Sequence, residues 1–151
     1  MRKFPLMGFD IEKHSAIIYD DGKEQFTGTT LKGIGQAVVG TMQRPDESAN
    51  RFMKVRSIQT GQNELLAAFQ QATGQAWSVQ RSTTEELKGS GEAKFKDGIQ
   101  GWTLELAVVQ LLDKGKARCI VAPSWEESDS GLLGVAAESP LEVVMSSLRG
   151  K

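Results

Sequence analysis

Cysteine and histidine occur once each in this chain of 151 residues, as Cys119 and His14. A lone cysteine closes no internal disulfide, and no pair or cluster carries the spacing of a zinc site. Neither a covalent staple nor a metal is therefore expected. Net charge is nearly lacking as well, because 18 Lys and Arg stand against 19 Asp and Glu, for a balance of -1. With no global field to draw the protein to nucleic acid or to an anionic membrane, neither is expected as a partner. Long hydrophobic runs are also missing. Hydrophobic residues make up 39% of the chain, but polar residues interrupt them far short of the ~20 apolar residues that a membrane span needs. The opening Met1-Arg2-Lys3-Phe4-Pro5-Leu6-Met7 starts like a basic leader, yet its apolar part is short and Asp10 follows at once. A cytoplasmic protein is expected on that pattern. A chain of this length buries roughly two thirds of its unfolded surface, so one domain over residues 1–151 suffices.

What is present alternates in type. Ser15-Ala16-Ile17-Ile18-Tyr19 and Glu24-Gln25-Phe26-Thr27 are β-prone and flank Asp20-Asp21-Gly22-Lys23, whose Asp-Gly step suits a tight turn, so they predict a hairpin. Leu31, Ile34, Val38 and Met42 recur at helical spacing, with Thr29 or Thr30 available as cap and Pro45 as terminator. Arg51 to Arg56 alternates like a strand with one buried face. Leu65, Leu66 and Phe69 mark a helix that Gly74 closes, and Trp77 to Gln80 a further strand. Ser82-Thr83-Thr84-Glu85 is a capping box, but the following Lys88-Gly89-Ser90-Gly91 predicts a break, since each glycine costs roughly 1 kcal/mol inside a helix. Ile99 to Leu112 reads as a helix apolar around much of its girth, and Ser124 to Gly131 as a loop. A last helix begins at Ser139-Pro140-Leu141-Glu142. The order gives an α/β (α+β) fold with a small mixed sheet, one hairpin and about four to five helices.

Several segments together carry a resemblance: Phe26-Thr27-Gly28-Thr29-Thr30-Leu31-Lys32-Gly33-Ile34-Gly35-Gln36-Ala37-Val38-Val39, Asn50-Arg51-Phe52-Met53-Lys54-Val55, Gln62-Asn63-Glu64-Leu65-Leu66 and Gly131-Leu132-Leu133-Gly134. The pattern resembles the C-terminal, substrate-binding half of NmrA-like and isoflavone-reductase-like proteins, an atypical branch of the short-chain dehydrogenases, and covers about Phe4 to Leu148. The resemblance implies that the glycine-rich nucleotide turn and the family's catalytic lysine or tyrosine belong to the half this chain lacks. Gly33-Ile34-Gly35 falls inside a helix and Gly89-Ser90-Gly91 follows no strand, so neither makes a dinucleotide turn. No cofactor is expected on this chain alone.

The remaining chemistry is sparse. His14 is the natural proton carrier near neutral pH, although its place beside Lys13 also suits an exposed loop histidine. Cys119, in an apolar run, reads as packing rather than as a nucleophile, and Glu126, Glu127 and Asp129 as a solvated acidic patch. Glu105 shares a helix face with Trp102, where a carboxylate would border an aromatic cavity; a polar outer face is the plainer reading. Phe9, Tyr19, Phe26, Trp102 and Trp125 are the candidates to line a site for an aromatic or polycyclic small molecule, with core packing as the alternative.

Three functions fit. The first is a cofactor-independent isomerase or cyclase of secondary metabolism, with His14 and Glu105 as catalytic candidates. The others are a non-catalytic small-molecule-binding or regulatory protein and one truncated subunit of an NAD(P)H-dependent reductase. A missing half leaves apolar surface or a bare strand edge, so a homodimer is expected through the Ile99 to Leu112 helix or the Arg51 to Arg56 edge.

Overall fold

The computed structural model describes residues 7–149, so the basic opening segment lies outside the described residues apart from Met7. Among the described residues, five short strands and six helices give the mixed α and β architecture read from the sequence. Two compact units are formed, Met1–Phe26 with Gly61–Cys119, and Thr27–Thr60 with Ile120–Lys151.

The first unit holds β1 (Phe9–Asp10), β2 (Ser15–Tyr19), α3 (Gln62–Thr73), β5 (Ser78–Ser82), α4 (Thr84–Lys96) and α5 (Trp102–Leu112). Its sheet runs β1-β2-β5. The hairpin is real but lies one strand earlier than expected, because β2 pairs antiparallel with β1, Phe9 facing Ala16. Asp10 shapes that turn by accepting the Glu12 and Lys13 N–H groups at 3.2 and 3.1 Å. On its other side β2 pairs in parallel with β5, Ser15 facing Ser78. With both edges of β2 taken, none is left for the segment after Lys23. The expected Asp-Asp-Gly turn still forms, with Gly22 at φ 68°. A side chain there would meet Asn63 Oδ1 at 2.5 Å.

Gln62 ties this unit together. It is wholly buried, accepts the Tyr19 N–H at 2.8 Å, and donates to the Met7 and Ile17 carbonyls at 2.9 and 3.0 Å. Each bond satisfies a polar group that would otherwise be buried unpaired. Gly74 ends α3 in the left-handed conformation, as expected. The expected break at Gly89 to Gly91 does not occur, and α4 runs through it. At Gly91 a Cβ would stand 2.9 Å from Leu106 Cδ2, so this glycine admits α5 to close packing rather than ending the helix. The capping box sits one residue later than expected, with Thr83 Oγ1 accepting the Glu86 N–H at 3.1 Å. Gly101, at φ 99°, delays α5 to Trp102 and leaves Ile99 outside it. Tyr19, Phe26, Val108 and Leu112 form one buried cluster of this unit, with Leu65, Leu87 and Cys119 packed against it.

The second unit holds α1 (Leu31–Gln43), α2 (Pro45–Ser48) and α6 (Pro140–Arg149), and its two-stranded sheet joins β3 (Phe26–Gly28) to β4 (Ile58–Thr60). The strand expected over Arg51 to Arg56 is absent; regular pairing begins only at Ile58. The reason lies in its hydrogen bonds, which go to a loop. Lys54 N–H donates to Asp129 Oδ2 at 2.7 Å, Asp129 N–H to the Lys54 carbonyl at 2.8 Å, and Arg56 N–H to Ser130 Oγ at 2.9 Å. At α6 the expected box forms, Ser139 N–H donating to Glu142 Oε2 at 2.7 Å and Glu142 N–H to Ser139 Oγ at 3.3 Å. Among the described residues no helix is long and apolar enough to cross a membrane.

Candidate ligand-binding groove

Helix α1 begins where Thr30 Oγ1 accepts the Gly33 N–H at 3.1 Å. The same hydroxyl donates to Glu138 Oε2 at 2.5 Å, and the Thr30 N–H donates to Ser57 Oγ at 3.0 Å. Gly33 and Gly40 are the buried residues of this helix. Seven residues apart, they share one face. A Cβ on Gly33 would lie 3.1 Å from Ser57 Cβ, and one on Gly40 would lie 2.1 Å from the Leu133 carbonyl oxygen. Close backbone approach thus fixes the glycine face inward and turns much of the apolar stripe out. Leu31 is 88% exposed and Met42 78%, the reverse of the burial that the sequence pattern suggested.

Between this helix and its neighbours lies a groove of about 480 Å³, bordered by Ile34, Ala37, Val38 and Met42 on the helix and by Met53, Val55 and Leu133 across from it. That volume falls in the range of ordinary ligand pockets, roughly 300–1,000 Å³. Thr29 and Thr41 also border it, but their hydroxyls are already donated, to the Val55 carbonyl at 3.1 Å and the Ala37 carbonyl at 2.9 Å. The groove offers an apolar ligand shape and contact area, with little polar demand.

None of the catalytic or ligand-binding candidates read from the sequence borders it. His14 lies at the β1-β2 turn with φ 47°, its ring edge-on to Trp77 at 5.7 Å. Phe9 joins the same aromatic group, 5.3 Å from Phe69 and 6.3 Å from Trp77. Tyr19 and Phe26 sit together in the core. Burial, with the nearby Glu105 charge second, pushes the Tyr19 phenol above its ordinary value. Trp102 and Glu105 do share a face, and α4 occupies it: Phe95 packs edge-on to Trp102 at 4.7 Å, and Lys94 pairs with Glu105 Oε1. Glu105 Oε2 is buried without a hydrogen-bond partner. Trp125 belongs to the second unit, beneath the Arg56 guanidinium. Sequence reasoning missed the groove residues; the signal that points to them is the Gly33 and Gly40 spacing, which marks the buried face and so frees the opposite one.

Fold and groove together define a mixed α and β protein with an apolar groove along α1. The chain is 62% identical over 149 residues to the oxidoreductase poxI of Penicillium oxalicum, covering 99% of this chain and 48% of that protein. It is 29% identical over 82 residues to the oxidoreductase aprR of Aspergillus flavus, covering 54% of this chain and 28% of that one. The chain thus spans about half the length of the poxI relative or less than a third of the aprR one. No protein-family model matches the chain, and no solved structure matches it significantly.

Proposed function

We propose that this chain is the ligand-holding portion of a secondary-metabolism oxidoreductase, and that the groove along α1 receives an apolar, aromatic or polycyclic small molecule. The observation that carries this reading is the groove itself, sized for such a ligand and bordered almost wholly by aliphatic and methionine side chains. Similarity to poxI supports the redox class. On this reading the electron carrier is held by the other half of the length seen in such relatives, and this chain orients the substrate and shields it from water.

A second reading keeps all chemistry within this chain, as a cofactor-independent isomerase or cyclase that works by holding one conformer. The engaged threonine hydroxyls favour it, since a groove without free acid or base groups acts by shape. His14 or Glu105 would then serve as proton donor only for a ligand reaching the first unit.

Fluorescence titration with Nile red, an uncharged polycyclic dye, tests the groove. Saturable binding that weakens by about tenfold or more in Ala37→Trp, which fills the space, is the expected result. Equal binding by both proteins would sink the proposal. NADPH consumption on mixing with the other half of a poxI-like chain would mark the reductase, substrate rearrangement without NADPH the isomerase, and binding without turnover a regulatory protein.

A further inference from the structure

Arg56 is a buried cation with an unanswered charge. The residue is only 8% exposed, yet among the described residues no carboxylate pairs with it within ion-pair distance. Asp129, beside Ser130, is already engaged, since it pairs with Arg51 and accepts the Lys54 N–H. Both hydrogen bonds of the guanidinium come from Nη1, to Gln59 Oε1 at 2.6 Å and to the Ala122 carbonyl at 3.0 Å, and both acceptors are neutral. Nε is buried and has no acceptor at all. The guanidinium carbon lies 6.0 Å from the centre of the half-buried Trp125 ring.

These contacts leave one edge of the guanidinium unused, the Nε side. Paired donors along such an edge match the two oxygens of a carboxylate, and desolvation strengthens that match. An unpaired ion held out of water is costly, so a protein retains one where something answers it. Gln59 and Ala122 hold the fork from its far side, and a locking pair of bonds fixes the backbone: Arg56 N–H donates to Ser130 Oγ at 2.9 Å, and Ser130 Oγ donates to the Arg56 carbonyl at 2.7 Å. Ser130 is fully buried. The donor is therefore preorganised rather than a surface arginine free to swing.

We propose that Arg56 and Trp125 form a subsite for an aromatic carboxylate, with the carboxylate on the Nε edge of Arg56 and the aryl ring against the indole of Trp125. A planar acid is favoured over a tetrahedral phosphate because the free donors lie in one plane beside a flat ring. This subsite does not depend on the α1 groove, which Arg56 does not border, so the two stand or fall separately.

Benzoate, benzamide and inorganic phosphate titrated against the full chain provide the test, read by tryptophan emission and by the shift in thermal midpoint. Saturable benzoate binding is expected, with benzamide, which has the same shape but no charge, at least about tenfold weaker. Arg56→Lys, which keeps the charge but loses the fork, is expected to show a similar loss for benzoate while leaving Nile red binding unchanged. Trp125→Phe should remove the emission change. No saturable benzoate binding, equal binding of benzoate and benzamide, or preference for phosphate would each overturn the proposal. If Arg56→Lys fails to fold, the benzoate and benzamide comparison on the unaltered chain decides alone.

Discussion

Gly40 lies so close to Leu133 that a methyl group on it would stand 2.1 Å from the Leu133 carbonyl oxygen. That contact orients α1. With Gly33 seated over Ser57 on the same face, the helix buries its glycines and offers its larger apolar side chains to the groove and to solvent.

Substitution at Gly40 is therefore expected to destabilise the second unit. Gly40→Ala must displace backbone, which typically costs about 1–3 kcal/mol. Gly35, in the same helix, has nothing within 4 Å of its would-be Cβ, so Gly35→Ala is expected to stabilise by about 0.5–1 kcal/mol through lower backbone entropy in the unfolded chain. Urea denaturation of the two variants checks this, and effects of the same sign would refute the close-approach account.

Tyr19 is the chain's single tyrosine, so its titration can be followed without overlap from other phenols. Burial holds its phenol above the ordinary value, and the Glu105 charge adds to the rise. Because the folded value is raised, this group's contribution to stability is present below the ordinary value and is lost as pH rises through the folded one. Glu105→Gln removes the second cause and leaves the first. The phenolate absorbance curve is expected to move part of the way down while staying above that of a free tyrosine. An unmoved curve would show that the carboxylate does not act on Tyr19.

The cap of α6 gives a dependence of opposite sign. Hydrogen bonds from the Ser139 N–H, and then from its hydroxyl, hold the Glu142 carboxyl below its ordinary value. A lowered carboxyl contributes stability above the ordinary value and loses it as pH falls through the folded one. The carboxyl is fully exposed, so solvent screening keeps the effect small. Above the acid range the unaltered chain is expected to be slightly more helical than Glu142→Gln; as pH falls and the carboxyl is protonated that excess is lost, and the two circular dichroism signals should converge. A constant difference down to about pH 2, well under the usual carboxyl range, would contradict this.

Local chemistry carried the element types far better than their partners. Thr30, Gly74 and Ser139 sit at helix ends because caps and left-handed glycines act within a few residues. Strand pairing depends on distant residues, and nothing near Tyr19 announces that β5, some sixty residues on, takes the edge of β2. Glycine misleads for the same reason: Gly91 reads locally as a helix breaker, while the contact that explains it belongs to Leu106. At the candidate sites, Trp125 was legible as a conspicuous aromatic, but Arg56 was not. Its significance lies in what fails to meet it, which only the placed neighbours show.

The outer face of α1 leads to a prediction about assembly. Leu31 is 88% exposed and Val39 53%, and neither borders the groove. Exposed apolar side chains repeated along one helix are uncommon on soluble monomers. A second copy would cover them through a two-fold contact, in which the same helix meets itself and no further copy is recruited. The expected homodimer therefore joins through α1, since Arg51 to Arg56 is no strand edge and α5 has Val108, Val109 and Leu112 already buried. Light scattering should give twice the chain mass, and Leu31→Glu with Val39→Glu should return it to one while Nile red binding persists. A monomer before substitution would refute the dimer, and a dimer surviving both substitutions would move the interface elsewhere.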